Sequence, residues 1–193
     1  METRNFGRLG SVSALTLGGG KVALLYVVDM AEIPTFQELG AIRPDHSTDL
    51  TPAQRDQYVA AKSAELMKGL RLAVDGAPLA LALDGAALTF PPGNGGLPTL
   101  RLEMSLSASL AAARGTLEYR NLNFRERAGW KEVIAAPASG TAFEQSSVPQ
   151  TDRTRALTVY DSIPKMPTAA RTTAAAAKLP SSVVQCRGCA TDA

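Results

Sequence analysis

The chain of 193 residues carries a net charge of +2, with 20 Lys and Arg against 18 Asp and Glu. That length suits one domain of ordinary size with a tail to spare, and basic residues scattered singly along the sequence give no nucleic-acid footprint. One histidine and two neighbouring cysteines, Cys186 and Cys189, supply few metal ligands and no disulfide that could tie distant parts of the fold together.

Asn5 to Gly20 alternates weakly, placing Leu9, Ser13, Leu15 and Leu17 on one side and Val12, Ala14 and Thr16 on the other. Gly18 to Gly20 then permits a tight reversal, which predicts a hairpin. The second strand is the uncharged run Val22 to Val28, whose continuous apolar character fits a central strand or one buried on both faces. Asp29 ends it. Pro34 suits the first turn of a short helix, and Phe36 and Leu39 give that helix an apolar side. Such a run is far shorter than the roughly 20 apolar residues that a membrane span needs.

Thr51, Pro52 and Gln54 form a helix-start signature in which Thr51 caps and Gln54 closes a capping box. The main helix is expected over Pro52 to Lys68, ending near Gly69, with Val59, Ser63, Leu66 and Leu70 as its buried stripe. Arg55, Asp56, Lys62 and Lys68 are expected toward solvent. From Leu70 the period becomes that of strands: LRLAV, LALAL and ALTF, separated by Asp75-Gly76 and Asp84-Gly85 as two-residue turns. After the loop Pro91 to Pro98, Leu100 to Leu110 alternates cleanly and predicts a half-buried strand. Thr116 to Tyr119, Trp130 to Ala135 and Arg155 to Tyr160 are the remaining strands. Residues 166–193 lack an apolar stripe and read as a disordered tail behind a soluble β-rich domain over 5–165. The fold class is therefore α+β, an antiparallel sandwich-like arrangement with one main helix.

Three stretches could carry chemistry. Asp45, His46 and Asp49 place potential ligands just before the main helix, but the turn glycine and closing acid of a calcium loop are missing. The preferred reading has Asp45 and Asp49 capping turns and His46 solvated; weak nickel or cobalt binding through His46 is the alternative, since imidazole suits those ions. Cys186 and Cys189 have the spacing of a redox or zinc half-site with no second pair, and read as incidental thiols. Asn121 to Trp130 carries Arg125, Arg127, Phe124 and Trp130, with Arg120 just before. As a binding loop it would grip an anionic group or another protein; the plainer alternative has the aromatics packed beneath and the arginines paired with Glu118, Glu126 or Glu132. One histidine and no G-x-S-x-G, phosphate loop or dinucleotide fingerprint speak against an enzyme.

The strings YVVDMAEIPTFQEL (26–39) and LEYRNLNFRERAGWKEV (117–133) resemble the extracytoplasmic N-terminal domain of bacterial nickel/cobalt exporter-like membrane proteins, over roughly Asn5 to Pro167. The resemblance implies a non-catalytic domain outside the membrane, with a transport bundle or another protein as its partner and no membrane insertion or nucleic-acid binding of its own. A family member would carry an export signal and membrane helices, and METRNFGRLG at the start lacks the apolar core of a secretory signal. A free-standing soluble β-domain binding a protein or small ligand is the competing expectation.

Overall fold

The computed structural model describes residues 9–93, 96–111, 115–127, 129–152 and 175–178. In chain order these form β1 (Leu9–Gly18), β2 (Lys21–Met30), α1 (Glu32–Ile42), α2 (Pro52–Met67), β3 (Leu70–Val74), β4 (Ala77–Pro78), β5 (Ala82–Thr89), β6 (Leu100–Ser109), β7 (Thr116–Asn121), β8 (Lys131–Pro137), β9 (Gln145–Ser146) and β10 (Ala175–Lys178). The fold is α+β and mostly sheet. Its strands make two five-stranded sheets, ordered β5-β6-β2-β1-β8 and β4-β3-β7-β10-β9.

The expected hairpin at the N-terminus is present, with β1 and β2 paired from Leu9 opposite Met30 to Gly18 opposite Lys21. The apolar run in β2 is the central strand of the first sheet, flanked by β1 and β6. Alternation sorts the side chains of each strand. Leu15 and Leu17 on β1, Val22, Leu24, Tyr26 and Val28 on β2, and Leu100, Leu102, Met104 and Leu106 on β6 all enter one buried cluster. Leu70 and Leu72 of β3 and Leu117 and Tyr119 of β7 join the same cluster from the second sheet. On the opposite face of the first sheet, Val12, Val27 and Ile134 form a smaller buried group under Trp130.

The sheets are not purely antiparallel. β1 and β8 run parallel, Ser11 opposite Lys131 through Leu17 opposite Pro137. Sequence alternation carries no sign of strand direction, so this pairing was invisible to it.

Two helices, not one main helix, accompany the sheets. α2 has the expected capping box, in which the Thr51 hydroxyl accepts from Gln54 N and the Gln54 side chain accepts from Thr51 N, with Pro52 at the first position. Of the expected stripe it buries Ser63 and Leu66, while Val59 is half-buried and Leu70 falls on β3. α1 begins two residues before Pro34, which occupies a first-turn site where a missing N–H costs no helical bond. Its apolar side is narrower than expected: Leu39 is buried, but Ile33 and Phe36 are 52% and 51% exposed. Lys62 also departs from expectation. Its side chain is only 12% exposed and its ammonium bridges Glu38 of α1 at 2.9 Å and Glu65 at 3.0 Å, so α2 turns this side chain toward α1 and away from solvent.

The two Asp-Gly dipeptides behave differently. Asp75 and Gly76 take positive φ values of 49° and 80° and turn the chain between β3 and β4, the backbone that such a turn demands. Asp84 and Gly85, expected as a second turn, instead lie within β5. There the register against β6 slips between Leu83 and Gly85, a bulge, because pairing along the ten-residue β6 outweighs the local turn preference. The expected LALAL strand is accordingly replaced by the short β4 and the later start of β5. The predicted strand at 155–160 lies outside the described residues. Most of the predicted tail lies there too, except that β10, placed inside it, pairs antiparallel with β7 and β9.

Candidate functional site

The loop joining α1 to α2 holds the first predicted set. Arg43 donates from Nε and Nη2 to the two oxygens of Asp45, at 2.8 and 2.5 Å, and from Nη1 to the Asp49 carbonyl at 2.7 Å. Its hydrogen bond holds the Asp45 carboxyl below the usual carboxylate range. His46, at φ 53°, lays its ring flat on Phe36, centroids 3.7 Å apart. Its Nδ1 lies 2.8 Å from the Phe36 carbonyl, and a carbonyl only accepts, so Nδ1 carries the proton. The loop thus clamps the exposed face of α1. Among the described residues no group of three or more His, Cys, Asp or Glu side chains converges as metal ligands, and with Asp45 gripped by Arg43 these residues do not fit a resident metal ion. Cys186 and Cys189 lie outside the described residues.

The second set surrounds the exit from β7, where the structure splits NLNFRERAGW into buried and exposed halves. Asn121 and Asn123, which sequence reasoning passed over, tie the two sheets together. Asn121 Nδ2 donates to Ser11 Oγ at 3.3 Å and to the Tyr26 hydroxyl at 3.4 Å; Asn123 Nδ2 donates to the same hydroxyl at 3.3 Å and to the Leu66 carbonyl at 2.9 Å. One strand register away, the Tyr119 hydroxyl donates to Ser13 Oγ at 2.9 Å. Burial pushes both phenols above the ordinary tyrosine value, outweighing the hydrogen bonds that pull them down. The seam satisfies polar groups that would be costly to bury alone. The only sequence signal for it was the spacing of two asparagines across a strand end.

Asn123 also sits against Gly69, where any Cβ would collide with its side chain. This close approach brings the end of α2, the start of β3 and the loop after β7 to one corner. Phe124, at φ 53°, packs partly on the core, and Trp130 covers the smaller apolar group. The aromatics therefore pack inward while the arginines do not follow them. Arg125 and Arg127 are exposed, and Arg120 lies 3.8 Å from Glu118 with both side chains largely in solvent.

The corner collects further cations. Arg71 stands directly opposite Arg120 across the β3–β7 ladder, and its guanidinium donates to the Lys68 carbonyl at 2.6 Å. Lys131 donates to the Asn123 carbonyl, and burial, then the charge of Arg125, pull its ammonium below the ordinary lysine value. Lys68, Arg71 and Lys131 were not among the predicted site residues. Strand parity alone would point Arg71 and Arg120 outward, but register is what sets them side by side, and register is a tertiary property.

Among the described residues no helix is long and apolar enough to cross a membrane, which leaves strands out of account. No protein-family model, curated protein or solved structure matches the chain.

Proposed function

We propose that the chain is a non-catalytic accessory domain that acts by contacting another protein, on the extracytoplasmic side of a bacterial membrane and beside a nickel/cobalt exporter-like transport bundle. The observation that carries this reading is the resemblance of residues 26–39 and 117–133, which now fall on the β2–α1 junction and on β7, its exposed loop and the start of β8. The shared buried cluster and the Tyr119–Ser13 and Asn121–Ser11 bonds between the sheets support the sandwich-like arrangement expected of such a domain. Nickel or cobalt would be cargo of the partner, held at most weakly by His46.

Sequencing the reading frame on both sides of the gene tests the transporter assignment. An export leader upstream and several apolar segments of about 20 residues downstream are expected; finding neither defeats it. Calorimetric titration of nickel into the chain, repeated on His46→Ala, tests the metal statement. A micromolar site that vanishes with that substitution would make the 43–50 loop a metal sensor after all.

A second reading, a free-standing β-domain that binds a protein partner, is favoured by one specific feature, the exposed cationic corner around Arg71 and Arg120.

A further inference from the structure

The geometry points to the corner formed by Lys68, Arg71, Arg120, Arg125, Arg127 and Lys131 as a docking surface for a carboxylate-rich segment of a partner protein. This rests on the reading of the chain as a protein-contacting domain and names the chemistry of what it contacts.

Like charges directly opposite on antiparallel strands destabilise a sheet, and Arg71 and Arg120 are such a pair. Glu118 lies 3.8 Å from Arg120 and is too exposed to offset much of this repulsion. The neighbouring loop adds rather than relieves charge, since Arg125 sits near enough to Lys131 to depress it. The parts are held together by built contacts, not by chance proximity. Arg71 is pinned to the end of α2 through the Lys68 carbonyl, Asn123 binds the Leu66 carbonyl of α2, and Lys131 binds the carbonyl of Asn123.

The composition of the corner selects among anions. Glu118 and Glu126 are interspersed with the cations, and the whole chain carries only +2, so there is little long-range pull on a phosphate backbone that bears a charge every ~1.7 Å. Discrete carboxylates can instead meet the guanidinium forks of Arg71 and Arg120 in bidentate pairs while avoiding the two glutamates. An exposed sheet face with an adjoining loop suits an extended segment more than an enclosed small anion.

The test uses the whole chain and fluorescence anisotropy with a labelled peptide of alternating Glu and Gly, its Gln/Gly counterpart, and labelled duplex DNA, with sodium phosphate as competitor. Binding of the Glu/Gly peptide, weakening as salt rises and reduced about tenfold or more by Arg120→Glu, is expected. Lys21→Glu makes the same charge change on the β1–β2 turn and should leave affinity unchanged. Thermal melting confirms that Arg120→Glu is folded, and it should melt close to the parent because the relief of the Arg71 repulsion is opposed by a new repulsion with Glu118. Equal losses from Arg120→Glu and Lys21→Glu, tighter binding of the DNA, full displacement by millimolar phosphate, or no binding of the Glu/Gly peptide would each overturn the proposal. None of these bears on the flanking reading frame, so the transporter assignment stands or falls separately.

Discussion

Two polar clusters lie a few residues apart on β7 and obey opposite rules. On the inner side, Tyr119 and Asn121 enter a buried seam in which each bonds a partner on the facing sheet. On the outer side, Glu118 and Arg120 lie in solvent, and Arg120 faces another arginine. Burial makes an unpaired polar group expensive, so the seam is fully specified by folding. Water screens the outer charges, so their arrangement is free to answer to something other than stability.

Alkaline titration should separate the two clusters most sharply. Tyr26 and Tyr119 have folded-state pKa values raised by burial, so their contribution is fully present below pH ~10, the unfolded value, and is lost as pH rises toward the folded value. Each should cost about 1.4 kcal/mol per pH unit above ~10 while its native phenol keeps its proton. Urea midpoints between pH 8 and about 11.5, followed with phenolate absorbance, would show ionisation of these two phenols together with unfolding; phenolate forming near pH ~10 in a folded chain and lost with Tyr26→Phe or Tyr119→Phe, rather than arising from Tyr58 or Tyr160, would contradict the buried seam.

Removing a seam partner comes next. Asn121→Ala takes a donor from the Ser11 hydroxyl and the acceptor from the Asn123 N–H, while Tyr26 keeps its bond from Asn123; it should destabilise by about 2–3 kcal/mol, with Tyr119→Phe costing about 1 kcal/mol because only the Ser13 hydroxyl loses its donor. Chemical denaturation of the two variants checks both size and order. If Tyr119→Phe proves the more harmful, the weight of the seam lies at Ser13.

The outer pair should respond weakly. Arg120→Glu turns the Arg71 repulsion into attraction and the Glu118 attraction into repulsion, so stability should change by no more than about 0.5 kcal/mol at low salt, an effect that fades as salt rises. The smallest effect belongs to the 43–50 loop. Asp45→Asn should leave the melting temperature nearly unchanged at neutral pH, while removing a small stabilisation that the parent loses only as pH falls through the depressed Asp45 carboxyl. A clear loss at neutral pH would mean that the Arg43 clasp orders more than its own loop.

What the sequence made legible follows from how local each feature is. The alternation in β6 and the capping box of α2 are written within a few residues, and both are found where expected. Asp75-Gly76 and Asp84-Gly85 show where such reading fails. The dipeptides are chemically alike, yet the first turns the chain and the second lies flat as a bulge, because β6 offers the second a ladder to join. The candidate residues divide in the same way. Arg120, Arg125 and Arg127 were visible as a charged loop, whereas Lys68, Arg71 and Lys131 join them only through strand register and the approach of Asn123 to Gly69. Phe36 was placed inward by helical periodicity but faces outward, half covered by the ring of His46 from a different segment.

The parallel pairing of β1 with β8 sets a condition on how the molecule comes to exist. Ser11 must find Lys131, so the chain has to close a loop longer than half its own length before the first sheet gains its outermost strand. Antiparallel hairpins such as β1–β2 can form early, but closing a loop of that size is entropically costly and slow. A nascent chain will therefore expose the unpaired edge of β1 until β8 has been made, and during synthesis that edge is its most vulnerable surface toward other chains.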